Sequence, residues 1–296
     1  MLRKYPYPPE GLYHQQHFVL PTSPEDAERC CREHMIFSLI IDRCNSRHDL
    51  CGSLGPFAAV IPREEAISPA ISGSDKEISI LSLVGRPVSA VITEVTLDEN
   101  GAPLLYLSRK AVQEAALTQL LTELQEGDVI PAVVSSLSPV GVFADIGSGV
   151  IALLPMRQIS VSRIEHPDQR FLPQQKIYVS VQAIDRMSNR FLLSQKELLG
   201  TFAENAAAFH VGETVTGIVR SLKPYGIFIE LAPNLSGLAE ADESSQPGQR
   251  VSVLIKAIQP ERHKVKLRVI SKLPPLPYPT PLHYHITEGN VSDWRY

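Results

Sequence analysis

The chain is poor in every feature that marks a membrane protein or a secreted protein. Its longest apolar run near the N-terminus, residues 35–41, contains Ser38 and is far shorter than the roughly 20 apolar residues that span a bilayer. Only four of the 296 residues are cysteines, and no secretory leader is recognisable. With 44% hydrophobic residues and a formal charge of −4, the composition is typical of a globular protein with small cores. These absences predict a cytoplasmic protein without a membrane partner.

Catalytic and cofactor-binding motifs are also missing. The nine histidines are scattered and none lies in a nucleophile motif. The glycines are spaced as turn residues rather than as a phosphate-binding loop. We therefore predict that the chain is not an enzyme and carries no cofactor.

All four cysteines lie in the first sixth of the chain, at Cys30, Cys31, Cys44 and Cys51. Cys44, His48 and Cys51 could present three zinc ligands, with Cys30, Cys31 or His34 as a fourth. Their spacing matches no standard zinc site, so reduced and partly buried thiols are the better interpretation.

A stretch of about twenty residues occurs twice in the same phase. Residues 127–146 read GDVIPAVVSSLSPVGVFADI, and residues 212–231 read GETVTGIVRSLKPYGIFIEL. In both copies a leading glycine precedes a second glycine in a Pro-x-Gly-x-Phe element, which is followed by an acidic and an aliphatic residue. The repetition predicts a modular chain.

The repeat extends beyond these stretches. Residues 173–184 (PQQKIYVSVQAI) match residues 247–258 (PGQRVSVLIKAI), and the later copy is eleven residues shorter in its middle. A fainter copy lies upstream, where residues 59–66 (AVIPREEA) resemble residues 152–158 (ALLPMRQ). We therefore predict three copies, the first of them degenerate.

Each copy has the pattern of short β-strands. In the middle copy, β-branched and aromatic runs separated by turn residues predict strands over residues 129–134, 142–146, 177–184 and 191–193. Several such strands in about 70 residues are typical of a small closed barrel. Between the copies, apolar residues at helical spacing predict one helix, and a capping box at Ser194 and Glu197 predicts a second. The predicted fold class is all-β with short linker helices.

This pattern divides the chain into seven predicted segments. They are an N-terminal extension (1–32), a degenerate barrel (33–110), a linker helix (111–126), a barrel (127–194), a second linker helix (195–211), a shortened barrel (212–270) and a Pro- and aromatic-rich tail (271–296). Both Pro-rich ends, which include Tyr5 and residues 273–281, have the composition of linkers or disordered tails. Trp294 and Tyr296 close the tail, and either a packing contact or a partner contact explains them.

The copies resemble the S-one (S1) RNA-binding domain, the OB-fold barrel repeated in the small-subunit ribosomal protein number one. The residues that carry the resemblance are Gly127, Gly212, the elements 139–143 and 224–228, Gly237 with Leu238, and the closing strands from Ala183 to Ser194. The resemblance covers residues 127–194 strongly, residues 212–270 fairly strongly and residues 35–110 weakly. It implies three tandem five-stranded OB-fold barrels, the first degenerate.

The resemblance also implies binding of single-stranded RNA through stacking aromatic residues and nearby basic groups. Strand parity supports this independently, because alternate side chains share a face. Val142 and Ala144 then face the core, and Phe143 shares the opposite face with the carboxylate that follows it. Phe228 repeats this position beside Glu230. Stacking on bases, worth about 1–3 kcal/mol per contact, explains a solvent-facing phenylalanine; packing under a neighbouring loop or helix is the alternative.

Further residues of the RNA face are implied by the family pattern. Tyr225 takes the place of a second stacking aromatic residue, where the middle copy has Val140. Arg190 and Lys264 take the basic position at the start of the last strand, and an ordinary solvated charge is the alternative for them and for Lys223. The predicted RNA-binding residues are Phe143, Arg190, Lys223, Tyr225, Phe228 and Lys264. No catalytic residue and no metal ligand is predicted.

The chain departs from the family pattern in two ways. Pro155 and Glu240 stand where the family often has histidine, and an acid on this face would repel phosphate. The first copy, whose second strand is predicted over residues 49–60, has no Gly-x-Phe element there and no basic residue between Leu50 and Ile61. Degenerate N-terminal repeats serve for protein contacts in the family, so the resemblance implies docking on the ribosomal small subunit.

Charge is divided in the same way along the chain. Residues 1–126 hold eleven basic and seventeen acidic residues, residues 127–194 hold six and five, and residues 212–270 hold eight and six. The positive excess of the two better copies is too small for a protein that wraps DNA. No DNA partner is expected, and stacking has to contribute much of any RNA affinity.

The sequence thus predicts a single-stranded RNA (mRNA) binding protein associated with translation. The alternative from a different class is a protein-interaction scaffold whose barrels no longer bind RNA. An accessory RNA-binding subunit of a nuclease or of RNA polymerase is a variant of the first interpretation.

Overall fold

The computed structural model describes residues 6–12, 20–70, 76–241, 244–275 and 282–296. The chain divides into two compact units. One contains Met1–Leu124, Ala144–Ala152 and Ile184–Phe191, and the other contains Gln125–Phe143, Leu153–Ala183 and Leu192–Tyr296. In the part of the chain that the structure describes, no helix is both long enough and apolar enough to cross a bilayer.

The described residues form three closed barrels of five strands each. The first has β1 (Ile36–Cys44), β2 (Leu50–Leu54), β3 (Phe57–Ile61), β4 (Pro87–Leu97) and β5 (Pro103–Ser108). The middle barrel has β6 (Val129–Ser138), β7 (Gly141–Asp145), β8 (Ile151–Pro155), β9 (Lys176–Asp185) and β10 (Arg190–Ser194). The third has β11 (Thr214–Lys223), β12 (Gly226–Ala232), β13 (Leu235–Ala239), β14 (Arg250–Gln259) and β15 (Lys264–Lys272).

All three barrels share one strand order, in which the fifth strand lies between the third and the fourth. The third and fifth strands run parallel, as β3 with β5, β8 with β10 and β13 with β15. All other neighbouring strands of the first and third barrels pair antiparallel, as β6 and β9 do in the middle barrel. This is the five-stranded OB-fold barrel. The predicted fold class is therefore confirmed, including the barrel of the first copy.

The barrel cores follow the alternation expected of strands that are buried on one face. On β1 the side chains of Phe37, Leu39 and Ile41 are fully buried, and on β14 those of Val251 and Val253 are fully buried. The apolar side chains at alternate strand positions therefore form the core of each barrel.

Gly141 and Gly226 open the second strands of the middle and third barrels. Their φ values are +149° and +150°, a region that side-chain-bearing residues rarely adopt. A Cβ atom at Gly226 would collide with the carbonyl oxygen of Ala239, and one at Gly141 would collide with that of Leu154. The close approach of the neighbouring strand explains why the Pro-x-Gly-x-Phe element recurs.

Six short helices accompany the strands within the described residues. They are α1 (Pro24–Arg32), α2 (Arg63–Ala66), α3 (Lys76–Leu81), α4 (Arg109–Glu123), α5 (Met156–Ile159) and α6 (Phe202–Ala206). Single 3-10 turns cover Pro167–Gln169, Lys196–Leu199 and Pro260–Arg262. The helices α2 and α5 follow β3 and β8, which matches the weak similarity between residues 59–66 and 152–158.

The first linker helix begins two residues before its predicted start and ends three residues before its predicted end. The hydroxyl of Ser108 accepts a hydrogen bond from the Ala111 N–H at 2.9 Å and so caps the helix at Arg109. The helix then buries Val112, Ala116 and Leu120.

The second linker helix is wrong as a single element. The chain makes a 3-10 turn over Lys196–Leu199, and Gly200 then takes a φ of +80° that interrupts the helix before α6. The capping box is formed by Thr201 and Glu204, not by Ser194 and Glu197. Ser194 ends β10 instead, although its hydroxyl contacts the Glu197 carboxylate.

The predicted second strand of the first barrel, residues 49–60, is also wrong as one strand. It is a hairpin of β2 and β3, with Leu54 opposite Phe57 across a turn at Gly55. Sequence patterning missed this because the run is apolar on both sides of the turn.

The N-terminal extension contains a helix, α1, that was not predicted. The hydroxyl of Ser23 caps it by accepting from the Asp26 N–H at 3.1 Å. Ala27 and Cys30 on this helix are buried in the core of the first barrel. The four cysteines are free thiols, and the described residues contain no group of three His, Cys, Asp or Glu arranged to hold a metal ion.

Candidate nucleic-acid interface

One row of side chains crosses four strands of the third barrel on its outer face. Phe228 of β12 lies opposite Ser221 of β11 and Leu238 of β13, and Leu238 lies opposite Lys266 of β15. Residues that oppose one another across strands share a face of the sheet. Phe228 is half-buried and Leu238 is exposed, while Ile227 on the alternate parity is buried.

A second aromatic ring lies beside this row. Tyr225, in the turn before Gly226, is 67% exposed. Its ring centroid is 6.3 Å from that of Phe228, and the two ring planes are at 87°. Because the two rings are perpendicular, they cannot both stack on the same flat group.

A line of positive charge runs along the last strand of this barrel. Lys264, Lys266 and Arg268 are exposed and alternate with buried Val265 and Leu267. Lys266 is two strands from Phe228, a distance of about 10 Å at the usual strand spacing. Within the described residues no ion pair involves these three cations. They therefore give a positive charge to the barrel face that carries the two rings.

Of these three cations the sequence pointed only to Lys264. Lys266 and Arg268 were missed, although the alternation of charged and aliphatic residues in KVKLR already places all three on one face. Lys223, at the end of β11, is exposed and lies opposite Gly226, next to Tyr225. Lys223, Tyr225, Phe228 and Lys264 thus belong to one barrel face.

The acid that was expected to repel phosphate has a partner. A carboxylate oxygen of Glu240 lies 3.1 Å from Nζ of Lys256, and the Glu240 side chain is 84% exposed. The pair compensates the negative charge locally, although such an exposed pair contributes little to stability.

The middle barrel offers less of this chemistry. Phe143 on β7 is half-buried between buried Val142 and Ala144, and the position that corresponds to Tyr225 holds Val140. Arg190 is exposed at the start of β10, but Leu192 stands where the third barrel has Lys266. The middle barrel thus contributes one ring and one cation to the predicted set.

The two acids that follow these phenylalanines are not on an open face. Glu230 is only 6% exposed, and its carboxylate accepts hydrogen bonds from Arg170 and Arg220. Asp145 is 4% exposed and accepts hydrogen bonds from the backbone N–H groups of Gly147 and Gly149 at 2.8 and 2.9 Å. Phe143 and Phe228 were expected to share a solvent-exposed face with a carboxylate. This expectation is wrong in one respect, because both carboxylates are buried. Remote segments of the chain cover them.

Asp145 lies in a buried cluster with one cation and a second acid. The Glu10 N–H donates to Asp145 at 2.8 Å, and both Glu10 carboxylate oxygens accept from Arg109 at 2.8 Å. Burial raises the pKa of Asp145 to about 7, and the nearby Glu10 carboxylate raises it further. The backbone hydrogen bonds and Arg109 lower this pKa but do not outweigh burial. Two acids beside one arginine leave one negative charge in excess, so a proton is retained near neutral pH.

The C-terminal segment packs on the chain itself. The Val291 N–H donates to the Gly127 carbonyl at 2.8 Å, and the Asn290 amide donates to Asp128 at 2.9 Å. The Tyr296 hydroxyl donates to the Asn234 carbonyl at 2.7 Å. Of the two explanations for this aromatic segment, an internal packing contact is the one observed. Residues 276–281 of the predicted tail and Tyr5 lie outside the described residues.

Comparison with known proteins supports the assignment of the middle barrel. Residues 123–196 match the family model of the S1 RNA binding domain. The chain is 34% identical over 206 residues to small ribosomal subunit protein bS1 of Staphylococcus aureus (strain COL), covering 64% of this chain and 52% of that protein. It is 31% identical over 206 residues, with the same coverage, to bS1 of Staphylococcus epidermidis (strain ATCC 35984). The chain thus spans about half the length of the curated relatives it matches.

Among solved structures, one similar chain is a multidomain protein with nucleic acid binding domains from Streptococcus pneumoniae TIGR4. It is 14% identical and covers 80% of this chain and 74% of that chain, with a TM-score of 0.27. At this TM-score the similarity carries no argument about the present chain.

Proposed function

We propose that this chain, in which residues 123–196 are an S1 RNA-binding domain, binds single-stranded RNA such as mRNA in translation. The observation that carries the proposal is the row on the third barrel, where Phe228 lies beside Tyr225 and two strands from Lys266. Rings stack on bases of any sequence, and lysines contact phosphate. This chemistry supports binding without catalysis, and the similarity to bS1 supports a location in the cytoplasm.

The third barrel is the main RNA contact in this proposal, and the middle barrel is a second one. The third barrel combines two rings with four exposed cations, namely Lys223, Lys264, Lys266 and Arg268. The middle barrel combines Phe143 with Arg190. The family model matches the middle barrel, so the stronger sequence match and the richer binding chemistry fall on different barrels.

The ribosomal small subunit is the proposed partner of the N-terminal part, and this proposal rests on the similarity to bS1. The first barrel supports a protein contact because it exposes aliphatic side chains. Ile40, Ile78, Leu81 and Val84 are 50%, 64%, 49% and 41% exposed. These exposed side chains favour protein docking, the alternative function for the whole chain, at the first barrel.

The RNA-binding proposal is tested by fluorescence anisotropy with a labelled pyrimidine-rich single strand and a duplex of the same length. The wild type should prefer the single strand. The double variant Tyr225→Ala/Phe228→Ala should lose more affinity than Phe143→Ala, because it removes two stacking contacts, each worth about 1–3 kcal/mol. Tyr106→Ala, a half-buried tyrosine of the first barrel, is the control and should bind as the wild type does.

Equal affinity of the wild type and the double variant would refute the stacking face of the third barrel. The ribosome contact is tested separately by co-sedimentation with purified small subunits. Ile78→Asp should weaken co-sedimentation without changing RNA affinity, because the side chain is exposed and lies on the first barrel. Unchanged co-sedimentation would refute this docking surface.

A further inference from the structure

The middle and third barrels differ in length at one place, the connector between the third and fourth strands. The middle copy is eleven residues longer there. In the structure this extra length corresponds to residues 160–170, which leave α5 and lead toward β9. We call residues 160–170 the connector. Both of its ends contact the third barrel.

The first end of the connector binds the turn between β12 and β13. The Val161 N–H donates to the side-chain oxygen of Asn234 at 3.0 Å, and the Ser162 N–H donates to the Pro233 carbonyl at 3.0 Å. The hydroxyls of Ser162 and Ser236 are 2.6 Å apart. Asn234 is fully buried, so these hydrogen bonds are shielded from water.

The second end of the connector inserts an arginine into a buried ion cluster. Arg170 donates from both terminal nitrogens to the Glu230 carboxylate, at 3.2 and 2.9 Å. Arg220 of β11 donates to the same carboxylate at 2.9 and 3.1 Å, and also to the Gln169 side chain at 3.1 Å. Arg170, Arg220 and Glu230 are 4%, 7% and 6% exposed. Because Arg170 makes two charge-assisted hydrogen bonds to a buried carboxylate, separating the connector from the third barrel costs the free energy of these bonds.

This cluster lies next to the aromatic row. Glu230 is two residues from Phe228 on β12 and shares its parity, which places the two about 7 Å apart along the strand. Ser236 lies opposite Glu230. The connector therefore covers the part of this sheet face that adjoins Phe228.

We infer that the connector couples the middle and third barrels into one binding unit, so that a single RNA strand contacts Phe143 and Phe228 together. Arg170 is the positioning residue, since its hydrogen bonds to Glu230 hold the connector of the middle barrel on the third barrel. The inference rests on the proposed function. Its physical basis is effective concentration: a strand held by one barrel meets the second barrel as an intramolecular partner, and holding the two barrels at a fixed spacing raises the effective concentration above that of a loose tether.

The test compares the affinity for two single-stranded RNAs of about 6 and about 20 nucleotides, since one OB fold contacts about 4–16 nucleotides. The measured quantity is the length advantage, the ratio of the two dissociation constants. The variants are Arg170→Glu, Glu230→Arg and their combination, which again places two arginines around one carboxylate. Arg170→Met leaves Glu230 paired with Arg220 and serves as a milder break. Arg163→Glu, an exposed arginine of the connector, is the matched control.

The wild type should show a length advantage that falls about threefold to tenfold in Arg170→Glu and Arg170→Met. Part of the advantage remains because the C-terminal segment also contacts both barrels. The double charge swap should restore the advantage, and Arg163→Glu should keep it. Affinity for the short RNA should change little in Arg170→Met. If the variant had simply unfolded the third barrel, the affinity for the short RNA would fall as well.

A wild type that binds both RNAs equally well would overturn the inference alone, as would folded Arg170 variants with an unchanged length advantage. A wild type that binds neither RNA would overturn the proposed function and the inference with it. Two-step unfolding of Arg170→Met, where the wild type unfolds the two barrels in one step, would support the coupling independently of RNA. One-step unfolding of Arg170→Met at an unchanged midpoint would count against it.

Discussion

Asp145 and Glu230 occupy the same position in successive barrels, two residues after the repeated phenylalanine, and both are buried against segments from outside their own strands. Glu230 is bound by Arg170 of the connector. Asp145 is bound by the N–H of Glu10, whose carboxylate is paired with Arg109. The two clusters differ in composition, because one contains two arginines and one acid and the other contains two acids and one arginine. The acid of the repeat therefore serves to fasten each barrel to other parts of the chain.

The pH dependence of stability should reveal Asp145. Its pKa is raised to about 7 in the folded protein from an ordinary value of 3.8, so the folded state binds the proton more tightly. The contribution of Asp145 to stability is then fully present below about pH 4 and is lost as the pH rises through about 7. Urea unfolding at several pH values between 4.5 and 8 should show a decline in the wild type that is shallower in Asp145→Asn. Parallel profiles of the two proteins would contradict a retained proton at Asp145.

Asn234 should be among the most sensitive polar positions of the third barrel. Its side-chain nitrogen donates to the carbonyls of Lys196 and Gly200 at 2.6 and 2.7 Å, while its oxygen accepts from Val161. Asn234→Asp has the same shape but turns a second acceptor toward two carbonyl oxygens. We expect a loss of about 2–4 kcal/mol in the free energy of unfolding, measured by urea titration.

The matched control for this change is Asn100→Asp, in an exposed turn of the first barrel. It should alter the free energy of unfolding by less than about 0.5 kcal/mol. Similar losses in the two variants would show that the hydrogen bonds of Asn234 do not stabilise the third barrel.

The cations of β15 should determine the salt dependence of RNA binding. For a single strand the slope of log affinity against log salt changes by about 0.7 for each phosphate contact. Lys264→Ala and Lys266→Ala should each make the slope shallower by about that amount. Lys256→Ala on β14 removes the same charge from a lysine paired with Glu240 and should leave the slope unchanged. A change in the Lys256 variant that equals those in the β15 variants would point to general charge rather than to this face.

The C-terminal segment can be followed through Trp294, the only tryptophan of the chain. Tyr296→Phe removes the hydrogen bond to the Asn234 carbonyl and should cost about 1 kcal/mol, seen as an earlier midpoint of tryptophan fluorescence in urea. Tyr225→Phe, at an exposed tyrosine, should leave the midpoint unchanged. An unchanged midpoint in Tyr296→Phe would show that this contact does not hold the segment on the barrels.

Local pattern was sufficient for the strands and for the residues on each strand face. The alternation around Phe143 and Phe228 correctly places Val142, Ala144, Ile227 and Ile229 in the cores. The same alternation along β15 places Lys264, Lys266 and Arg268 on one basic face, although only Lys264 was predicted. The roles of the six predicted RNA-binding residues stay predictions until the binding experiments are done.

Local pattern was insufficient wherever distant segments meet. The single helix predicted after Ser194 is interrupted at Gly200, where a Cβ atom would lie 2.7 Å from the ring of His285 and 2.8 Å from the side chain of Asn205. His285 lies far along the chain, so no window of sequence around Gly200 reports its approach. The hairpin at Gly55 was missed for a different reason, since its two strands carry similar apolar residues.

By itself, the sequence determined that the protein is a series of small barrels, because period-two alternation and the recurring Pro-x-Gly-x-Phe element depend only on neighbouring residues. It also determined which phenylalanines point away from the cores. Only the tertiary structure decided which part of that outer face stays open. Glu230 has the parity of a solvent-facing residue, but Arg170, sixty positions earlier, covers it, whereas Phe228 two residues away remains partly exposed. The reason is that parity distinguishes the two sides of a strand, while burial of the outer side depends on which remote segment packs there.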